Sequence, residues 1–112
     1  MITVLLVIHI MIAAGLVGGS IEDYSGKATY PIDLAVKRME AAAAAARAAP
    51  FPFALTGRCE NFIRGNPNLD DTIMRLQAYE AAGADVLMAP GLPDLDAVAK
   101  VCASLKMPFN FM

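Results

Sequence analysis

Apolar positions along this chain follow two periods. In "YPIDLAVKRMEAAAAAARAAP", Ile32, Ala35, Val36, Met39, Ala43 and Ala46 recur at helical spacing. Pro31 suits the first helical turn, Pro50 closes the segment, and alanine is the best helix former for the run at 41–46. Short, unbroken apolar runs read instead as buried strands at 17–21, 52–56, 85–89 and 108–112. Two segments, "AAGLVGGSIED" (13–23) and "AAGADVLMAPG" (81–91), share one design. Each ends a helix in Ala-Ala-Gly, with the glycine as a left-handed cap, and enters an apolar run at once. "NPNLDDTIMRLQAYEAAG" is a helix with Asp70 and Asp71 at its N-terminus. "LPDLDAVAKVCASLK" is a helix with Pro93 near its start. The predicted order is α-β-α-β-α-β-α-β, which calls for parallel strands joined by right-handed crossovers, apolar on both faces.

The first eighteen residues, "MITVLLVIHIMIAAGLVG", are nearly uncharged and have two readings. An export signal or membrane helix is one, although the basic start of a signal peptide is missing and His9 interrupts the run. The preferred reading is a buried helix closed by Gly15, with His9 as a packed helix residue, leading into a buried strand.

Composition narrows the class. The chain has 112 residues, enough for one domain over 1–112. Its net charge of −2, with basic residues scattered, gives no footprint for nucleic acid or an anionic membrane. Cys59 and Cys102 lie far apart without a paired-cysteine spacing, so they read as reduced thiols of a cytoplasmic protein. Cys59 has no histidine to activate it and reads as inert. Cys102 sits within a helix among apolar neighbours.

In parallel α/β folds the chemistry lies beyond the carboxyl ends of the strands. Here those ends carry Glu22 and Asp23, then Arg58, then Pro90 and Gly91, which converge on one rim. A carboxylate there can hold Mg²⁺ directly or through its waters, while Asp23 reads as a cap or a solvent-facing residue. Glu60 and Asn61 either line the same rim or belong to a hydrogen-bonded loop.

These residues carry a resemblance. "AAGLVGGSIEDYSG", "PFPFALTGRCENFIRGNPNLDDTIMRLQAYEAAGADVLMAPGL" and "MPFNFM" resemble the isocitrate lyase and phosphoenolpyruvate mutase superfamily from about residue 10 onward. The resemblance implies a (β/α)8 TIM-type barrel acting with Mg²⁺ on small 2-oxo acids or related carboxylates. This chain would supply a partial barrel of about four parallel strands, roughly strands four to seven. It implies that Glu22, in "IED", holds the Mg²⁺ hydration shell. Arg58 would be catalytic and bind a substrate carboxylate or phosphonate, its planar fork suiting either; Asn61 beside it would be a further substrate contact.

Three departures shape the expectation. The family's principal metal-binding aspartates belong to earlier strands. The cysteine loop of the lyase branch is replaced by "DYSGKATYP", in which Tyr24 and Lys27 could donate a proton only with high ordinary pKa values, so no cleavage of isocitrate or methylisocitrate is expected. The chain also stops within a late strand, as a truncated or fragmentary barrel would, and the poorer fit before residue 10 suggests a gene-model artefact at the start. Two functions stand: Mg²⁺-dependent C–C or P–C bond chemistry, and a non-catalytic half-barrel scaffold or gene fragment. Open outer strands would in either case favour a homo-oligomer.

Overall fold

The computed structural model describes residues 2–111. Helices and strands alternate: α1 (Ile2–Ala13), β1 (Gly18–Glu22), α2 (Ile32–Arg47), β2 (Ala54–Arg58), a 3-10 turn (Phe62–Arg64), α3 (Leu69–Ala81), β3 (Val86–Met88), α4 (Leu95–Ser104) and β4 (Phe109–Asn110). All strand pairs are parallel and the sheet order is β1-β2-β3-β4, the sequential arrangement that single-helix crossovers predict. The fold is thus α/β, with part of a barrel's strand sequence laid out in order.

Strand limits differ from the expectation by one or two residues, and the reason is local. Pro52 has no N–H to give a ladder, so β2 starts at Ala54, whose N–H donates to Val17 O at 2.9 Å. The shift makes Glu22 and Arg58 the last residues of their strands. The fourth strand is shorter than predicted, and Met112 lies outside the described residues. Both glycine junctions form as expected. Gly15 and Gly83 take φ of +89° and +116°, a conformation that costs other residues a Cβ clash.

The register divides the sheet into two faces, because partners in a parallel pair point the same way. Ile21, Gly57, Leu87 and Phe109 form one row across the strands, directed at the helices. Gly57 allows a close approach, since a Cβ there would stand 3.2 Å from Met39 Cε and from Tyr79 Cβ. The alanines of α2 serve this approach: Ala42, Ala43, Ala45 and Ala46 are buried. Leu55, Leu76, Leu87 and Val101 complete the core.

The opposite face carries the rows Ser20-Thr56-Val86 and Glu22-Arg58-Met88-Asn110. The expectation of strands apolar on both faces is therefore corrected. Only the helix side is uniformly apolar, and the other side alternates into polar residues.

Helix α1 is also less buried than expected. It is apolar all round, yet only Val4 and Ile8 are buried, while Ile2, Leu6 and Ile10 are exposed. It packs mainly on α2 and β1, so one stripe finds a partner. His9, about 100° round the helix from Ile8, is exposed rather than packed. Among the described residues no helix is long and apolar enough to cross a membrane.

At the amino end of the sheet one ion pair ties α2 to the strands. Arg47 grips Asp85 through both terminal nitrogens, and Asp85 Oδ2 accepts from Leu55 N at 2.8 Å. The hydrogen bond from Arg47 holds the Asp85 carboxyl below its ordinary value.

Candidate functional site

At the carboxyl end of the sheet the strand ends bring the expected residues together. Glu22 and Arg58 are register partners, and Arg58 Nη2 lies 3.8 Å from Glu22 Oε2. The two side chains are 43% and 27% exposed, so both stay open to a small ligand on the polar face. The loop after β3 joins the same rim: a Cβ on Gly91 would stand 3.2 Å from Ile63 N, and Pro90 is buried beside it.

Asp23 corrects the reading of a cap or solvent-facing residue. It is 2% exposed and is the centre of a polar network beneath the rim. Its Oδ1 accepts from Glu60 N at 2.8 Å, and its Oδ2 accepts from Tyr79 OH at 2.6 Å and Arg75 Nη1 at 3.5 Å. Arg75 also donates to Tyr30 O at 2.9 Å and to Asp71 Oδ2 at 2.9 Å. One residue thus fixes the loop after β1, the loop after β2 and α3 to each other. Burial first, then the Asp23 charge, push the Tyr79 hydroxyl above its ordinary value and keep it a donor. The adjacency of Glu22 and Asp23 follows from strand alternation, which sends one to the open face and the other inward.

The placement of Cys59 fits an inert thiol. It is fully buried, and burial, followed by the Asp23 charge, pushes its thiol up to about 12. A thiolate is the reactive form, and it is scarce there at neutral pH. Cys102 lies on α4 as expected but is exposed.

Asn61 is placed differently from Glu22 and Arg58. It is 1% exposed, and its Nδ2 donates to Asp71 Oδ2 at 2.9 Å and Thr72 Oγ1 at 3.1 Å, which commits its amide to α3. The N-terminus of α3 is capped by Asn68, whose side chain accepts from Asp71 N at 2.9 Å. The Asn-x-x-Asp spacing carries that signal in the sequence, beside the acidic pair Asp70 and Asp71.

Glu60 is buried completely. Arg58 Nη2 stands 2.5 Å from its Oε1 and Arg64 Nε 4.0 Å from its Oε2, but neither carboxylate oxygen has an aligned hydrogen-bond donor. Burial, and next the neighbouring Glu22 carboxyl, raise Glu60 above its ordinary value, with Arg58 opposing. Arg64 stacks over the Tyr24 ring at 4.2 Å, joining the loop after β1 to the rim.

The metal that the resemblance implies can be tested against these residues. No group of three or more His, Cys, Asp or Glu able to hold a metal ion occurs among the described residues. Glu22 is partly exposed at the carboxyl end of β1, which suits contact through the waters of a hydrated cation. The residues fit an outer contact to Mg²⁺.

The parallel sheet in sequential order, with Glu22 and Arg58 at its carboxyl rim, has the strand sequence of a barrel segment. Residues 3–112 match the phosphoenolpyruvate phosphomutase family, and the chain belongs to that family. It is similar to a protein of Burkholderia cenocepacia J2315 provisionally assigned as a lyase or mutase, with 52% identity and a TM-score of 0.95 over 97% of this chain and 40% of that one. A second protein of the same organism, provisionally a phosphonomutase, has 32% identity and a TM-score of 0.87 over 96% and 46%. A phosphonopyruvate hydrolase solved with oxalate and Mg²⁺ has 26% identity and a TM-score of 0.84 over 99% and 41%. The chain spans less than half the length of these structures. No match is found among curated proteins.

Proposed function

We propose that this chain contributes one part of an active site for Mg²⁺-dependent C–C or P–C bond chemistry on a small 2-oxo acid or related carboxylate. One observation carries the reading: Glu22 and Arg58 end adjacent parallel strands, in register, on the polar face. Arg58 binds the carboxylate or phosphonate end of the substrate, and its fixed charge also favours negative charge developing on it. Glu22 orients water on that face and would hold the hydrated metal. Mg²⁺, when bound, supplies Lewis-acid stabilisation of an enolate-like oxygen. Asn61 contributes through the loop it anchors and through its free Oδ1. The loop "DYSGKATYP" carries no cysteine, and isocitrate and methylisocitrate are not cleaved. We place the protein in the cytoplasm.

The test is a titration of the isotope-labelled chain with Mg²⁺ and oxalate, followed by NMR. Shifts confined to the surroundings of Glu22 and Arg58, with the oxalate response lost in Arg58→Ala, are expected. A spectrum unmoved by either ligand would leave the non-catalytic scaffold as the reading. That scaffold and the enzyme share one further expectation, self-association, supported by the exposed apolar stripe of α1 beside the outer strand β1. Sedimentation should show oligomers at micromolar concentration; a monomer over a wide range would overturn this.

A further inference from the structure

Five buried side-chain nitrogen or oxygen atoms among the described residues lack a hydrogen-bond partner, and four of them belong to Arg58, Glu60 and Asn61. Buried polar groups are ordinarily satisfied, so this concentration calls for an explanation. Glu60 is the extreme case: its carboxylate is removed from solvent, flanked by two guanidinium groups, and aligned with neither. Its backbone, in contrast, is held firmly. Glu60 N donates to Asp23 Oδ1 at 2.8 Å, and Glu60 O accepts from Arg64 N at 3.0 Å. Asp23 is itself fixed by Tyr79 and Arg75.

We propose that Glu60 is the positioning residue of Arg58, holding its guanidinium on the polar face before an anion arrives, and that Asp23 sets Glu60 through its backbone N–H. The inference rests on the reading that Arg58 receives an anionic substrate group. A long arginine side chain on an open face has many rotamers, and ordering it on binding weakens affinity. A buried carboxylate at Nη2 removes that freedom in advance. Glu60 can do this because water does not compete for it. Glu22, 3.8 Å from the same Nη2 and more exposed, is the weaker partner and stays available to a cation.

The experiment follows the Arg58 side-chain resonances of the ligand-free chain by NMR, assigned by their loss in Arg58→Lys, and then measures oxalate affinity. In the natural sequence the Arg58 Nη protons should be resolved by slow rotation about the guanidinium bond. Glu60→Gln should average them and weaken oxalate by about tenfold, with the amide signals of Leu55 and Leu87 in the core unmoved. Glu60→Asp should restore part of both effects, and Asp23→Asn should reproduce the Glu60→Gln result in milder form. Should Glu60→Gln not fold, the contrast between Glu60→Asp and the natural sequence gives the same reading. Arg58 rotating equally fast with and without Glu60 would overturn the proposal, whether or not oxalate binds. Restricted, Glu60-dependent rotation without any oxalate binding would uphold the positioning and sink the functional reading of Arg58 instead.

Discussion

Each end of β2 is held by an aspartate and an arginine, and the two pairs behave differently. At the amino end, Asp85 accepts from Leu55 N while Arg47 grips its carboxylate. At the carboxyl end, Asp23 accepts from Glu60 N while Arg75 and Tyr79 hold its second oxygen. The components are nearly the same, but burial is not. Arg47 is 54% exposed and Asp85 28%, against 11% for Arg75 and 2% for Asp23. The amino end is a satisfied, water-washed stitch. The Asp23 network beneath the carboxyl rim is dry, and beside it lie unpartnered atoms on Arg58, Glu60 and Asn61. Barrel enzymes divide their ends in this manner, with stability at the amino face and chemistry at the carboxyl face.

The contrast should break most visibly at Asp23. Asp23→Ala strands Tyr79 OH and Glu60 N in a dry interior and should destabilise the chain by about 3–5 kcal/mol, as removing one partner of a buried pair does. Denaturant unfolding measures this, and a loss below about 1 kcal/mol would erase the distinction between the ends.

The matching change at the other end should be small. Asp85→Asn keeps an acceptor for Leu55 N and loses only a half-solvated ion pair, worth about 0.2–1 kcal/mol. Its pH dependence has a definite sign. Because the folded carboxyl of Asp85 is depressed, its stabilisation is present above the unfolded value near about 3.9. It is lost as acid carries the pH down through the folded value. The difference between Asp85→Asn and the natural sequence, followed by thermal melts from pH 7 to pH 2.5, should therefore shrink toward zero at the acid end. A difference that grew in acid would mean that another group carries the effect.

Much of this arrangement was legible in the sequence. The Ala-Ala-Gly junctions, the strand order and the convergence of Glu22 and Arg58 follow from local signals, because chain direction and crossover handedness leave few alternatives. The chain's place in the superfamily was legible from "SIEDYSG" and the long "GRCENFIRG…AGADVLMAPG" stretch; the match over residues 3–112 bears it out and corrects the poorer fit expected before residue 10. Asp23 was misread because a carboxylate at a strand end has two destinations, and composition does not choose between them. The alternation that puts Glu22 on the open face does choose, once the strand is known to reach Glu22. His9 and the rest of α1 were misjudged for a different reason. Apolarity on every side of a helix says what it could bury, and its neighbours decide how much it does. The commitment of Asn61 to α3 depends on contacts across ten residues and leaves no periodic trace.

The sequential strand order has a consequence for how such a chain is made and remade. Each helix packs on the helix next to it in sequence and each strand pairs with the strand before it, so contacts run along the chain as links do along a ribbon. Loops to be closed are short, and closure of short loops costs little entropy. Folding can therefore spread from any βα unit to its neighbour rather than wait for the two ends to meet, as in repeat proteins. A cut or a join at a βα boundary alters the outermost link and leaves the registers inside unchanged.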